Sequence, residues 1–472
     1  METLESAPSH SAIAEEQDAI FAPEAASAPT PWHPLTRLGF RIAFIYFCGF
    51  MYLYGSDGID FNSIVMWRGI GNFLNWPLNQ LLIWSGHHIF HVKNMPPHWH
   101  VADRGDALGN WILVKLLIVG SILGGLLWTG IARRRGSQRT EYNTLLAWLR
   151  FLLRLTVGFF MVGYGMLKVF PLQMPPISLA LLNQPAGQMT PHALLWSMVG
   201  LYPAYESICG VVEVIAGALV LFRRTALAGA LLCVFVMSNV VLYNFFFGVS
   251  VKLFALNLTL AAIFIVLPDV KPLLDFFWKH QAAAQTSVWT PPLTNRGLRL
   301  YVRFLEVLFI VVSFTVNPLF DGIIWQHSRN IARIQSPLLG AWRFDSTHPA
   351  SGPFVTPKGP GTEVYIDTVE RGMTRSADGA LWRTFLKIDP TKHTVYVSPF
   401  VGRDVTYKWQ MPDANHLILT TMPADGPALS AKGKNPAKPE PAFVPVVVSL
   451  VRIPLPTHYP LFDSKFRLVS YY

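Results

Sequence analysis

Residues 203–222, PAYESICGVVEVIAGALVLF, form an apolar run that carries two glutamates. Glu206 and Glu213 are seven residues apart, which is two turns of an α-helix, so both side chains lie on one face. A helical run of this length can cross about 30 Å of hydrocarbon, or nearly so. An acidic side chain inside such a span is costly and needs a partner or a polar cavity. The stretch therefore predicts a membrane helix with one polar face.

The composition of the whole chain is typical of a polytopic membrane protein. Of its 472 residues, 51% are hydrophobic and 14% are charged, with a mean hydropathy of +0.34. Soluble domains carry roughly 25% charged residues, so a wholly soluble enzyme is not expected. The net charge is +10, but the basic residues lie at the edges of apolar runs and form no stripe with interleaved aromatic residues. We therefore expect the lipid bilayer as a partner and no nucleic acid.

Seven apolar runs are predicted to be transmembrane helices. Lys and Arg cluster in the loops after the second, fourth and sixth runs, and they are sparse in the loops between these. The positive-inside rule then predicts a cytoplasmic N-terminus and an extracytoplasmic C-terminus in the bacterial cytoplasmic (inner) membrane. The runs are 38–55, 108–132, 145–167, 203–222, 225–247, 253–268 and 300–320.

The regions outside these runs differ in character. The N-terminal tail is acidic and rich in Ala, Ser and Pro, which is typical of disorder. The outer loop 56–106 interleaves tryptophans with polar residues, which predicts one or two helices lying on the outer membrane surface. The predicted domains are a disordered cytoplasmic tail at 1–36, two transmembrane helices with a long outer loop at 37–135, a four-helix membrane bundle at 145–270, a cytoplasmic linker at 271–299, the seventh helix at 300–321 and an extracytoplasmic β domain at 335–472.

The C-terminal region alternates apolar and polar residues. The stretches LWRTFLKID at 381–389, HTVYVSPFV at 393–401 and VPVVVSLVRI at 444–453 have the period of β-strands. Asp-Gly pairs at 378–379 and 425–426 mark turns between them. The pattern predicts a small β barrel or sandwich, with a disordered loop at 422–445.

Polar side chains recur in the outer half of the predicted bundle. Tyr164 and Lys168 are four residues apart and share a helix face with Arg154, which lies nearer the cytoplasm. The functional interpretation is a polar pocket open to the outside, in which Glu213 and Lys168 are catalytic. The alternative is structural: Lys168 pairs with a glutamate and locks the bundle, or extends to the interface. The residues expected to bind a cofactor in such a pocket are Tyr164, Glu206, Asn239, Asn244, Lys252 and Asn257.

Histidines and cysteines offer weaker patterns. The outer loop contains HHIFHVKNMPPHWH at 87–100, in which His87 and His91 share one helix face and His88 lies beside them. This spacing makes the three residues candidate metal ligands, and the alternative is an interfacial loop without a metal, which we favour. The three cysteines lie inside apolar runs and form no CxxC pair, so a disulfide framework is not expected. Common nucleotide-binding, zinc-protease and serine-hydrolase motifs are missing.

Three stretches resemble the DoxX-like family of integral membrane proteins. They are GYGMLKVFPLQMP at 163–175, LLWSMVGLYPAYESICGVVEVIAGALVLFRRT at 194–225 and SNVVLYNFFFGVSVKLF at 238–254. The closing FDSKFRLVSYY at 462–472 is similar to the end of the β-rich tail that longer members carry. The chain departs from the family at 247–250, FGVS, where relatives tend to have Tyr-Asp-Val-Pro. An acid that relatives place near the residue matching Lys252 is therefore absent.

The resemblance implies a four-helix core with a redox-linked function. Some DoxX-like proteins are subunits of thiosulfate:quinone oxidoreductases, and others are linked to thiol or oxidative-stress handling. The first hypothesis is a redox-linked subunit that binds a quinone-like molecule. Lys168 and Tyr164 would donate hydrogen bonds, Glu213 would handle protons, and a partner oxidoreductase subunit would supply electrons. The alternatives are a non-enzymatic receptor or carrier for a lipid or small molecule, whose β domain binds a partner, and a structural assembly factor.

Overall fold

The structure is a computed structural model that describes residues 31–55, 65–93, 105–137, 139–281, 293–345, 354–398, 404–423 and 445–462. The contacts divide the chain into two units. The first comprises 1–103, 107–153 and 275–293, and the second comprises 104–106, 154–274 and 294–472. Most of the predicted tail and of the predicted 422–445 loop lies outside the described residues, as do residues 463–472.

Three helices belong to the first unit. They are α1 (Pro34–Gly55), α2 (Val65–His88) and α3 (Leu108–Arg134). The helix predicted within the 56–106 loop is present as α2. Helices α1 and α3 pack closely, since a Cβ atom on Gly125 would lie 2.6 Å from the side chain of Ile42. The buried Arg41 guanidinium donates to the Tyr142 hydroxyl at 2.6 Å and to Thr129 Oγ1 at 2.5 Å, so its charge is held by polar groups inside the unit.

The helical part of the second unit begins within α4, which runs from the first unit into the second. These helices are α4 (Asn143–Val169), α5 (Leu179–Leu182), α6 (Pro191–Gly200), α7 (Pro203–Leu221), α8 (Ala226–Phe246), α9 (Lys252–Val266), α10 (Val270–Lys279) and α11 (Arg296–Ala332), and the residues of α10 from Asp275 onward belong to the first unit.

Two of these helical regions are longer than predicted. The sixth run continues through a 3₁₀ turn at Leu267–Asp269 into α10, so part of the predicted 271–299 linker is helical. Helix α11 has 37 residues and extends the seventh run at both ends, past Pro318 in its interior. The last turns of α11 are polar, and the prediction missed them because it followed the apolar run alone.

Six described helical segments are long and apolar enough to cross a membrane. They carry large apolar side chains that are highly exposed, such as Phe235 at 78% and Phe246 at 77%. Such surfaces are typical of lipid-facing helices rather than of a soluble protein. Helix α1 is 22 residues long and is not among these six, so the seven-span count stays a prediction. The segments are Leu108–Arg134, Asn143–Val169, Pro203–Leu221, Ala226–Phe246, Lys252–Lys279 and Arg296–Ala332.

The C-terminal part of the second unit is a β barrel, which decides between the barrel and sandwich left open by the sequence. Eight of the described strands close into an antiparallel barrel, because β1 pairs with both β9 and β3. The short β2 pairs with β3 outside this ring. The strands are β1 (Gly340–Phe344), β2 (Val355–Thr356), β3 (Gly359–Thr368), β4 (Arg371–Ser376), β5 (Leu381–Asp389), β6 (Thr394–Ser398), β7 (Val405–Asp413), β8 (His416–Thr421) and β9 (Val447–Ile453).

The barrel interior is a packed apolar core. Trp342, Val397 and Leu450 are fully buried there, and the Trp342 indole donates to the Leu338 carbonyl at 2.8 Å. The turn predicted at residues 378–379 is present between β4 and β5, with Gly379 at φ +85°. A positive φ is easily adopted by glycine, which explains the Asp-Gly signal in the sequence. The core occupies the space where a ligand cavity of an open barrel would lie.

Candidate functional site

Four glycines bring α4 and α7 into close contact. Gly158 and Gly165 on α4 meet Gly217 and Gly210 on α7, in antiparallel order. A Cβ atom on Gly210 would lie 2.5 Å from the Gly165 carbonyl oxygen, and one on Gly217 would lie 3.0 Å from the Gly158 carbonyl oxygen. Small residues at such a crossing allow two membrane helices to pack backbone to backbone. The crossing fixes the side chains that flank it.

Lys168 and Glu213 form a buried ion pair beside this crossing. The Lys168 ammonium donates to Glu213 Oε1, and the side chains are 7% and 5% exposed. The Cβ of Lys168 faces Gly210, whose missing side chain leaves room for the lysine stem. The two residues predicted to be catalytic thus face each other. This contact also matches the structural alternative, in which Lys168 pairs with a glutamate and locks the bundle.

Polar groups from α8 lie near the pair. Tyr243 and Cys233 lie within electrostatic range of the Glu213 carboxylate. On α4, Tyr164 precedes Lys168 by one turn, and its ring centroid lies 5.8 Å from that of Phe254 on α9. Helix α8 therefore contributes to the surroundings of the pair, and α9 packs against Tyr164 one turn away.

Glu206 lies in the first turn of α7 and is fully buried. Its Oε1 accepts hydrogen bonds from the backbone N–H groups of Gln173 and Met174 at 3.1 and 3.0 Å. Its Oε2 has no hydrogen-bond partner among the described residues. Lys168 is near enough for its charge to act on Glu206. Glu206 therefore borders the Lys168–Glu213 pair and holds the loop that follows α4.

Lys252 is bound by an acid that the sequence analysis did not connect with it. Its ammonium donates to Asp106 Oδ2 at 3.0 Å and to the Val249 carbonyl at 2.8 Å. Asp106 also accepts from the backbone N–H groups of Lys252 and Leu253, at 3.0 and 3.1 Å, and so caps the start of α9. Asp106 lies 146 residues before Lys252 in the chain. These contacts explain Lys252 as a structural residue.

The three asparagines predicted to bind a cofactor have different surroundings. Asn257 is buried and donates to the Leu253 carbonyl of its own helix at 2.8 Å. Asn239 is exposed on α8. Asn244 is 1% exposed, and neither side-chain amide atom has a hydrogen-bond partner among the described residues. Of the three, Asn244 has the unmet hydrogen bonds that a ligand could satisfy.

Arg154 forms a second buried polar contact near the middle of α4. Its guanidinium donates to Glu306 Oε1 of α11 at 2.6 Å and to the Leu221 carbonyl at the end of α7 at 3.0 Å. Arg154 and Lys168 are fourteen residues apart, or roughly 21 Å along the helix. The Arg154–Glu306 ion pair is therefore remote from the candidate site, and substitutions in it can serve as controls for substitutions at Lys168 and Glu213.

The histidines stay candidates for a metal without an observed cluster. His87, His88 and His91 are exposed, and His88 Nδ1 lies 2.9 Å from the Trp84 carbonyl oxygen. Among the described residues, no group of three or more His, Cys, Asp or Glu side chains is arranged to hold a metal ion. The other histidines of this loop, at 98 and 100, lie outside the described residues, so the metal hypothesis stays a prediction.

The barrel joins the helical part of the unit through the loop between α4 and α7. Asp367 of β3 accepts from the Leu179 backbone N–H at 2.7 Å, and Arg375 donates to the Ala180 carbonyl at 3.4 Å. Ala180 packs in an apolar cluster with Tyr365 of the barrel. Burial raises the pKa of the Asp367 carboxyl above its ordinary value, against the opposing effects of the Leu179 hydrogen bond and of Arg371. The loop that binds Glu206 is therefore anchored on the barrel wall.

Comparison with known protein families, with curated proteins and with solved structures finds no match to this chain. The resemblance to DoxX-like proteins therefore stays an expectation from the quoted stretches.

Sequence reasoning missed the elements that build the site. The antiparallel glycine pairs were visible as two spacings of seven residues, 158 to 165 and 210 to 217. Asp106 and Glu306 were also visible as acids close to apolar runs. Their partners lie far away in the chain, so only the fold reveals the pairings.

Proposed function

We propose that the protein is a redox-linked integral membrane protein of the DoxX-like type, which binds a quinone-like molecule beside the Lys168–Glu213 pair. The observation that carries the proposal is this buried ion pair in an apolar helical bundle, with Tyr243, Cys233 and Glu206 within electrostatic range of it. A buried pair costs desolvation energy, and apolar residues would pack there at no such cost. Ionisable residues inside membrane bundles are by default a functional-site hypothesis.

The donor set fits a quinone carbonyl. An ammonium carries three donors, and the hydrogen bond to Glu213 uses one of them. Asn244 has a buried amide without a partner in the described part of the chain, and such a group costs about 1–3 kcal/mol unless a ligand or water meets it. Lys168 would orient a carbonyl, and Glu213 would accept or release the proton at its Oε atoms. Reduction of a quinone to a quinol takes two electrons and two protons, and a partner oxidoreductase subunit would supply the electrons.

The orientation proposed from the sequence places this site in the outer leaflet. Arg223 and Arg224 follow α7, and Arg296 and Arg299 lie in the first turn of α11. The positive-inside rule assigns these ends to the cytoplasm. Lys168 then lies at the outer end of α4, and the barrel is extracytoplasmic.

A receptor or carrier is the second candidate function. Asp367 and Arg375 of the barrel bind the backbone at residues 179–180. The same connecting segment holds Glu206 through the backbone amide of Met174. This continuous connection between the barrel and the bundle favours a receptor. In this case the barrel would bind a partner, and the bundle would hold a lipid or small molecule without electron transfer.

Binding of a short-chain benzoquinone to the purified protein tests the first proposal. Calorimetric titration of wild type is expected to show saturable binding, which Glu213→Gln loses. Glu306→Gln is the matched control, because it neutralises a carboxylate that pairs with a buried base about 21 Å away along α4. Binding that is equal in Glu213→Gln and wild type, or no binding to wild type, would reject the quinone site and favour the receptor.

A further inference from the structure

A cavity of about 470 Å³ lies along the C-terminal half of α11, and neither Lys168 nor Glu213 lines it. Its apolar end is lined by Leu319, Ile323 and Trp325 of α11 and by Phe170, which follows α4. The ring centroids of Phe170 and Trp325 are 6.0 Å apart. Leu319 and Ile323 are 66% and 58% exposed, so this wall is apolar and open.

The other end of the cavity is cationic. Arg329 and Arg333 line it one helical turn apart, together with Asn330. The Arg329 guanidinium lies 4.7 Å from the centre of the Trp325 ring, and neither arginine forms an ion pair in the described part of the chain. The helix C-terminus carries partial negative charge, so these side chains, and not the helix dipole, would attract an anion. The cavity therefore combines an apolar wall with two unpaired cations at one end.

The two ends of the cavity lie at the outer edge of the predicted seventh span and beyond it. Leu319 is close to the end of the apolar run 300–320, and Arg329 follows it by ten residues, or about 15 Å along the helix, on the outer side. Trp325 lies between them, where tryptophans are enriched at the membrane interface. An arginine that merely extends into headgroups needs no cavity, whereas here the arginines and the apolar wall line one cavity.

We propose that this cavity is a binding site for one anionic phospholipid. The phosphate is held by Arg329 and Arg333, with hydrogen bonds available from Asn330. One acyl chain lies along Trp325, Ile323 and Leu319. The site is independent of the proposed quinone site, since it uses none of the same residues.

Native mass spectrometry of the detergent-solubilised full-length protein tests this site. Phosphatidylglycerol and phosphatidylcholine with identical chains are added in equal amounts. Wild type is expected to retain one phosphatidylglycerol in preference to phosphatidylcholine. Each arginine near a membrane surface contributes about fivefold in affinity, so Arg329→Gln with Arg333→Gln should weaken retention about twenty-fivefold. Arg299→Gln with Arg303→Gln makes the same charge change at the other end of α11 and should leave retention unchanged.

A variant of the apolar wall tests the shape of the cavity without changing charge. Gly322 lies on its wall, and a Cβ atom there would lie 3.6 Å from the Phe170 ring, which is ordinary contact. Gly322→Leu favours helix and fills the space, so it should lose the lipid while the protein stays folded. Equal retention of the two lipids by wild type, equal loss in the 299/303 control, or full retention by either cavity variant would overturn the proposal. Displacement of the lipid by millimolar inorganic phosphate would also overturn it, in favour of a free-phosphate site.

Discussion

Removing Lys168 alone should destabilise the bundle far more than removing both members of its ion pair. The side chains of Lys168 and Glu213 are 7% and 5% exposed, so solvent screens little of their interaction. Lys168→Met leaves a buried carboxylate without its base, and breaking a buried pair in this way costs about 3–5 kcal/mol. Replacing both by Met removes the stranded charge, and such replacements are often neutral or stabilising.

The free energy of unfolding can be measured by titration with sodium dodecyl sulfate, followed by circular dichroism. The series comprises wild type, Lys168→Met, Glu213→Met and the double variant. Lys279→Met is the control, because Lys279 pairs with Asp275 on α10 while 57% exposed, and such pairs contribute about 0.3–0.5 kcal/mol.

We expect a large coupling energy between the two substitutions. Each single variant should lose about 3 kcal/mol or more, and the double variant should lie within about 1 kcal/mol of wild type. If the losses of the single variants simply add up in the double variant, Lys168 and Glu213 do not interact and the described pair is refuted. If Lys168→Met lowers the free energy of unfolding as little as Lys279→Met does, the burial of Lys168 is refuted.

Three further predictions concern the surrounding contacts. Asp106→Ala should cost about 1–2 kcal/mol in unfolding titrations, because α9 loses its cap, and Asp106→Asn should recover part of this. Gly210→Ala should cost about 1–3 kcal/mol, because its Cβ would meet the Gly165 carbonyl, whereas Gly130→Ala has open space and should cost nothing. Burial raises the pKa of Asp367 above its ordinary 3.8, so its protonated form favours folding. That contribution is complete below about pH 4 and is lost as the pH rises through the folded pKa. Thermal unfolding of Asp367→Asn between pH 4 and pH 7 should lack this contribution. Wild-type stability of Asp106→Ala or of Gly210→Ala, or an unchanged pH dependence in Asp367→Asn, would contradict the contact concerned.

The fold was predictable wherever one pattern repeats over a whole element. Apolar runs of membrane length predicted the long helices, and alternation predicted β5, β6 and β9 within a few residues at their ends. The extension of α11 to 37 residues was not predictable from the apolar run, because its last turns are polar. Closure of the barrel was equally hidden, since β1 and β9 pair across more than 100 residues.

The sequence predicted which residues belong to the candidate site, but it did not predict which of them form ion pairs with each other. The spacing of Glu206 and Glu213 placed both on one face, and either could have paired with Lys168. The structure assigns Glu213 to Lys168, because the amides of Gln173 and Met174 already hold Glu206. Periodicity gives the face of a helix, but contacts between distant segments depend on how the helices cross.

Mass spectrometry of small molecules that co-purify with the protein tests the central claim most directly. Wild type, Glu213→Gln and Glu306→Gln would be purified in the same detergent and extracted in parallel. We expect one quinone per chain in wild type and in Glu306→Gln, and we expect Glu213→Gln to lose the quinone while the protein stays folded. No quinone in wild type, or the same amount in Glu213→Gln, would contradict a quinone site at the Lys168–Glu213 pair.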